Sequence, residues 1–168
     1  PVPTGREEEW RFTPLDRLGV LFRDEASEAH LAWDQQLPEG VTLSTMSVQD
    51  WRAGDHPLPA DRPAAIAAAY SGGVSVVDIP AEAEIGEPVR ISLTGHDNRI
   101  VHGHLLIRAG HHTKATVVLT HQGNAAYSEM VTITAGDGAD LTVVTLQEWD
   151  DDALHLGQHD IVVGRAAS

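Results

Sequence analysis

Two stretches of the chain repeat one another, and that repeat limits the possible folds more than any other feature. Gly110-His111-His112-Thr113-Lys114-Ala115-Thr116-Val117-Val118 aligns with Gly136-Asp137-Gly138-Ala139-Asp140-Leu141-Thr142-Val143-Val144, which sets Thr-Val-Val in register at an offset of 26 residues. Gly164 stands 28 residues beyond Gly136, and Gly86 stands 24 before Gly110. Runs rich in β-branched residues fill the intervals (VSVVDI, VRISL, HLLIR, ATVVLT, MVTIT, LTVVTL, DIVV), with Gly, Asn or Asp in most of the gaps. Each period thus holds two short strands and two turns. One such unit cannot cover its own apolar face, whereas stacked neighbours bury a continuous core. The fold expected for residues 74–168 is therefore mainly β, the first coils of a right-handed parallel β-helix, with Val117 and Val143 at equivalent positions. An antiparallel sandwich uses short strands and regular turns in a similar way, but the fixed period favours the solenoid.

Residues 1–73 read differently. Trp10, Trp33 and Trp51 lie here, and prolines gather at Pro57, Pro59 and Pro63, whereas only Pro88 occurs after residue 84. Leu31, Trp33 and Leu37 alternate with polar residues, Pro38-Glu39-Gly40 supplies a turn, and Val41, Leu43 and Thr45 alternate again, which predicts a β-hairpin. Asp61 before Arg62-Pro63 and the alanine-rich AAIAAAY starts one short helix, placed at about 62–71 and ended by Gly72-Gly73. The expectation is a small α/β N-terminal region leading into an incomplete β-helix. The sequence stops at Arg165-Ala166-Ala167-Ser168 without a polar cap, so the chain is expected to self-associate, with a homodimer as one outcome.

Composition narrows the function classes. Of 168 residues 42% are hydrophobic, enough for a real core, and 11 basic residues against 25 acidic ones give a net charge of −14. That field opposes nucleic acid and anionic membranes as partners. No apolar run approaches the roughly 18 residues of a spanning helix, and no secretory leader is visible, so a cytoplasmic location is expected. The absence of cysteine excludes disulfides, thiolate catalysis and cysteine-ligated zinc or iron–sulfur centres within this chain.

Ten histidines raise the question of metal. His102-Gly103-His104 places two rings on one face of a strand, as a chelating pair would be. The run from Gly95 to His104 loosely resembles the first motif of cupins, small metal-binding β-barrels, and a cupin-like enzyme is the alternative reading. The glutamate of that motif is replaced by Leu105-Leu106-Ile107-Arg108, and a cation at Arg108 would repel a metal; solvated or hydrogen-bonded strand histidines are expected instead. His111-His112 falls at a turn. His155 and His159 in HLGQH have helical spacing, but Gly157 between them argues for a turn as well. Asp137-Gly138-Ala139-Asp140 and Asp150-Asp151-Asp152 lack the spacing of a calcium loop and read as solvated turns. No H-E-x-x-H, G-x-S-x-G, Walker or dinucleotide fingerprint occurs. No catalytic, cofactor-binding or metal-ligating residue is assigned, and the chain is expected to be no enzyme. A third reading, a free-standing β-helix that binds carbohydrate, needs exposed aromatic platforms, and Trp149 is the sole tryptophan of the repeat region.

Two segments carry a family resemblance. Gly5-Arg6-Glu7-Glu8-Glu9-Trp10-Arg11-Phe12-Thr13-Pro14-Leu15 resembles the EEWRFTPL opening of SufD proteins, subunits of the SUF iron–sulfur cluster assembly system, and the stretch from Gly136 to Gly157 is similar to that family's early β-helix core. The AYSGGV and GHLLIRAG segments also fit. The resemblance spans the chain but covers only the N-terminal part, less than half, of a SufD subunit. It implies a scaffold role beside a SufB-like paralogue and a SufC-like ATPase, both engaged through C-terminal regions absent here. It implies no cofactor in this chain, with a transient iron–sulfur cluster on the complete complex. The histidine that the family places near the SufB interface lies in the absent half, so no ligand role is transferred.

Overall fold

The computed structural model describes all 168 residues. In chain order its elements are α1 (Leu15–Leu18), β1 (Ala32–Gln36), β2 (Thr42–Met46), α2 (Val48–Ala53), α3 (Arg62–Tyr70), β3 (Val74–Ile79), β4 (Val89–Ala109), β5 (Lys114–Ala135), β6 (Asp140–Trp149) and β7 (Leu154–Val163), with single 3₁₀ turns at Glu8–Trp10 and Gly19–Phe22. Among β3 to β7 every pairing is parallel. β3 lies beside the second half of β4, β4 pairs along its length with β5, and β6 and β7 pair with the first and second halves of β5. The chain is a parallel β-solenoid of about three turns with a few short helices. Val117 pairs with Val143, as the repeat predicts. Parallel neighbours exclude both the antiparallel sandwich and the cupin-like barrel.

Long strands β4 and β5 each serve two walls of a coil. They turn the corner at Gly95 and Gly123, which are register partners. A side chain on Gly95 would drive into the carbonyl of Asn124, and Gly123 has φ +78°, so glycine is needed on both levels. The opposite corner repeats a left-handed residue on every level: Glu82, His112, Gly138 and Ala166 all have φ between 51° and 67°. The coils are not of equal length. Partners along β4 and β5 are 28 residues apart before the corner (Val89 with Val117) and 26 after it (Val101 with Tyr127), whereas β5 to β6 is 26 and β5 to β7 is 28. Gly86 does not belong to the glycine series. Gly136 and Gly164 donate to the carbonyls of Ala109 and Ala135, and Gly110 likewise donates to Ile79, so Pro80-Ala81 is the segment that underlies Gly110.

The two strands expected to form a hairpin exist but do not pair with each other. β1 runs antiparallel to the first half of β4 (Trp33 opposite Leu93), and β2 runs antiparallel to β3 (Leu43 opposite Val77). Each thereby satisfies the backbone edge that the first coil leaves open on one wall, and the Pro38-Glu39-Gly40 turn carries the chain from one wall to the other. Capping two edges satisfies more backbone than a free hairpin could. The helix predicted at about 62–71 is α3; its N-cap Asp61 accepts from the Ala64 N–H at 2.9 Å, with Pro63 just inside. It is not the only helix, since Ser47 caps α2 in the same way. Pro63, Ala64, Ile66 and Ala67 of α3 are buried against the outer faces of β4 and β5. Val89, Ile91, Leu93, Leu105, Ile107, Val117, Leu119, Val131 and Ile133 fill the lumen. No helix is long and apolar enough to cross a membrane.

Candidate functional site

Counting by twos along the walls shows where polar side chains intrude into the apolar lumen. On β5, Ala115, Val117 and Leu119 point inward, and the next inward residue is His121; beyond the corner, Tyr127, Val131 and Ile133 point inward with Glu129 between them. On β7, residues paired with this inward set are His155 (opposite Tyr127), Gly157 (opposite Glu129) and His159 (opposite Val131). Gly157 leaves room under the carboxylate, where an added Cβ would sit 3.3 Å from its Oε1, and the two histidines lean in from either side. The result is a convergent set. Glu129 Oε2 lies 3.0 Å from His121 Nε2, and Glu129 Oε1 lies 2.9 Å from His155 Nε2 and 3.5 Å from His159 Nε2.

Glu129 and His121 are fully buried, and the His155 and His159 side chains keep 17% and 32% exposure. Burial alone would raise the Glu129 carboxyl, but hydrogen bonds from His121, His155 and His159 outweigh it and hold the group ionised, well below the usual carboxylate range. The same carboxylate raises His159 through its hydrogen bond. Tyr127 is pushed far up by burial and by the charge of Glu129, so it stays a neutral phenol. Beyond the rings stands Gln147, the register partner of His121. Its amide donates to His121 Nδ1 at 3.2 Å, which puts that ring's proton on Nε2 and aims it at Glu129. Gln147 Oε1 lies 3.0 Å from His155 Nδ1 and accepts from the Trp149 indole at 2.8 Å. Tyr127, Trp149 and the two rings wall the cluster in aromatic contact, with centroids 5.1 to 6.0 Å apart.

His121 and Glu129 were not candidates from the sequence, although an ionisable residue in the inward phase of an apolar alternation is a readable signal. His155 and His159 lie on a strand rather than in a turn. Four is an even spacing, so a strand brings them to one face as surely as a helix does. Trp149 belongs to this inner cluster, which removes the exposed aromatic platform that a carbohydrate module needs.

His102 and His104 do share one face, on the outside of β4 beneath the N-terminal region, and both are buried rather than solvated. His102 is hydrogen-bonded on both nitrogens, to Ser128 Oγ at 3.0 Å and the Glu25 carbonyl at 3.1 Å; burial lowers its pKa. His104 has no partner on either nitrogen. It meets the edge of Trp51, centroids 4.5 Å apart, and His56 stacks on that indole at 3.9 Å. Neither ring belongs to a group of three or more potential metal ligands. Arg108 is held by Asp78 at 2.9 Å. His111 and His112 sit at an exposed corner, and Asp137 caps the turn below by accepting from the Arg165 N–H at 2.9 Å. Asp150, Asp151 and Asp152 are exposed, as expected of a solvated turn.

Residues 91–168 match the family described as SUF system FeS cluster assembly, SufBD core domain. An iron-sulfur cluster assembly SufBD family protein of Mycobacterium leprae is 37% identical over 170 residues, covering 99% of this chain and 43% of its own length. Counterparts from Mycobacterium bovis and Mycobacterium tuberculosis H37Rv are 36% and 35% identical over 169 residues, with 42% of each relative covered. The chain therefore spans less than half the length of these relatives. No solved structure is significantly similar. The matched residues are the coils that carry the repeat, and the similarity extends through the edge-capping N-terminal region, so that the whole of this chain is similar to a portion of proteins of the SufBD family of iron–sulfur cluster assembly.

Proposed function

We propose that this chain is the N-terminal and early β-helix part of a SufD-like scaffold subunit acting in iron–sulfur cluster assembly. The observation that carries the reading is the similarity of the whole of this chain to SufBD family proteins, laid over a solenoid whose lumen is packed and whose first edges are covered. Such a body is suited to holding other parts at fixed distances, because each coil is locked by backbone ladders to the next. In this reading the subunit is not an enzyme; it stands beside a SufB-like paralogue, and a SufC-like ATPase supplies the turnover. SufD is favoured over SufB by the absence of cysteine in these residues.

The test is co-expression of the complete protein containing this chain with the SufB-like and SufC-like proteins of the same organism, with an affinity tag on this chain. Recovery of all three in fixed proportion supports the scaffold role. A SufB-like and SufC-like pair that assembles and elutes without this protein would remove it. Residues 1–168 by themselves are expected to leave the ATPase unstimulated and unbound, since its docking is assigned to later segments.

A further inference from the structure

We propose that the lumen cluster of His121, Glu129 and His155, with His159 beside it, is a binding site for one divalent first-row transition-metal ion. The inference is independent of the scaffold reading. One ligand atom from each of His121, Glu129 and His155 lies within 4.8 Å of the others, and His159 Nε2 is 3.5 Å from the same carboxylate. All three imidazoles turn Nε2, not Nδ1, toward Glu129. Two or three imidazole nitrogens with one carboxylate oxygen form the mixed donor set that zinc, iron(II) and cobalt(II) accept, and that calcium and magnesium, which prefer oxygen, do not.

Two features favour a metal at this cluster, and a third sets how its rings would have to be protonated to hold one. First, the carboxylate is 1% exposed within an apolar lumen. The three imidazoles compensate it by hydrogen bonds, and a metal held between the same atoms would put a divalent charge beside the buried anion at short range. Second, the ligands come from different strands of two walls, β5 before the corner, β5 after it, and β7, so the fold rather than local sequence sets their convergence. Third, a ring that ligates through Nε2 must carry its proton on Nδ1 and hand it to an acceptor. Gln147 Oε1 is in place for His155, 3.0 Å from Nδ1. For His121 the amide presents its nitrogen at 3.2 Å, so ligation by that ring requires its proton to move from Nε2 to Nδ1 and the Gln147 amide to give up this contact; a glutamate at that position could accept from both rings.

The experiment is titration of the purified, metal-stripped protein with Co²⁺ alone, followed by its visible ligand-field absorption, then displacement by Zn²⁺. The expected result is one equivalent with an intense, low-symmetry spectrum. Glu129→Gln and His155→Gln should each weaken binding at least tenfold. Gln147→Glu should bind as tightly as the native protein or more so. The double variant His111→Gln/His112→Gln at the exposed corner should leave binding unchanged. If Glu129→Gln fails to fold, His155→Gln and His159→Gln, whose side chains are partly exposed, carry the same test. A folded protein that takes up no Co²⁺, or whose Co²⁺ binding is lost with the His111/His112 pair and retained without Glu129 or His155, would overturn the assignment.

Discussion

Substitution of His104 by leucine isolates a single buried imidazole as a source of acid sensitivity. His104 is 5% exposed and neither ring nitrogen has a partner. Burial, with His56 beside it adding to the effect, lowers its pKa to about 4 from an ordinary value of 6.5. His56 is the ionisable group that acts on it; the ring also meets the edge of Trp51, and its register partner on β5 is Met130. In the unfolded chain the ring takes up a proton below about pH 6.5, whereas in the folded chain it resists until about pH 4. Between those values the unfolded state binds more protons, so folding free energy is lost as the pH falls. A displacement of this size corresponds to about 3 kcal/mol when the window has been crossed completely. At neutral pH the effects of the substitution nearly offset. Removing two orphaned nitrogens returns about 1–3 kcal/mol, and losing the edge contact with Trp51 costs about 0.5–1.5 kcal/mol.

The diagnostic quantity is therefore the change with pH, not the stability at one pH. Urea unfolding followed by tryptophan fluorescence and far-ultraviolet circular dichroism at about pH 7, 5.5 and 4.5 gives the stability difference between His104→Leu and the native chain. That difference should grow in favour of leucine by about 2–3 kcal/mol from pH 7 to 4.5, while titrating groups that do not interact with His104 cancel because they are common to both proteins. A difference that stays flat across the range would refute the claim that His104 is held neutral by burial.

Other substitutions test the solenoid itself. Gly103 faces the lumen directly under the Tyr127 hydroxyl, into which an added Cβ would run; Gly103→Ala should lower the urea midpoint by the equivalent of about 1–3 kcal/mol. Val117 is fully buried and its ladder neighbour Val143 only half so; Val117→Ala should cost about 2–3 kcal/mol and Val143→Ala less than half of that, measured by the same unfolding. Asp61→Ala removes the N-cap of α3 and should cost about 1 kcal/mol, seen as a drop in thermal midpoint, with Asp61→Asn restoring most of it.

How much of this was legible in the sequence differs between backbone and side chains. The parallel stack was readable because Thr-Val-Val at an offset of 26 is a local match, and β5 against β6 keeps that offset throughout. The pairing of β1 and β2 was not. Alternation and a turn are the same whether two strands bond to each other or to two different edges, and the choice is made by the unpaired first coil, a tertiary fact. The helix at α3 was readable because its cap, proline and alanines are adjacent in sequence. α2 has six residues, too few for a periodic pattern to emerge.

The lumen cluster was missed because of unequal coil lengths. At a uniform offset of 26, Glu129 would stack on His155 and the residue under His121 would be Gln147. The second pair is correct, but β7 has slipped to an offset of 28, because two more residues separate the walls after Trp149 than after Gly123, and Gly157 rather than His155 lies under Glu129. The slip is what converts a simple ladder into a converging set. A histidine placed directly on the carboxylate would fill one side of it, whereas a glycine in that place with histidines two residues to either side brings both rings to its oxygens. A two-residue change in one turn is invisible to periodicity, yet even spacing keeps the inward phase intact. The apolar alternation therefore survives while the chemistry is rearranged, and the polar residues that interrupt it in its inward phase, His121 and Glu129, are the ones from which a solenoid sequence of this kind discloses its buried site.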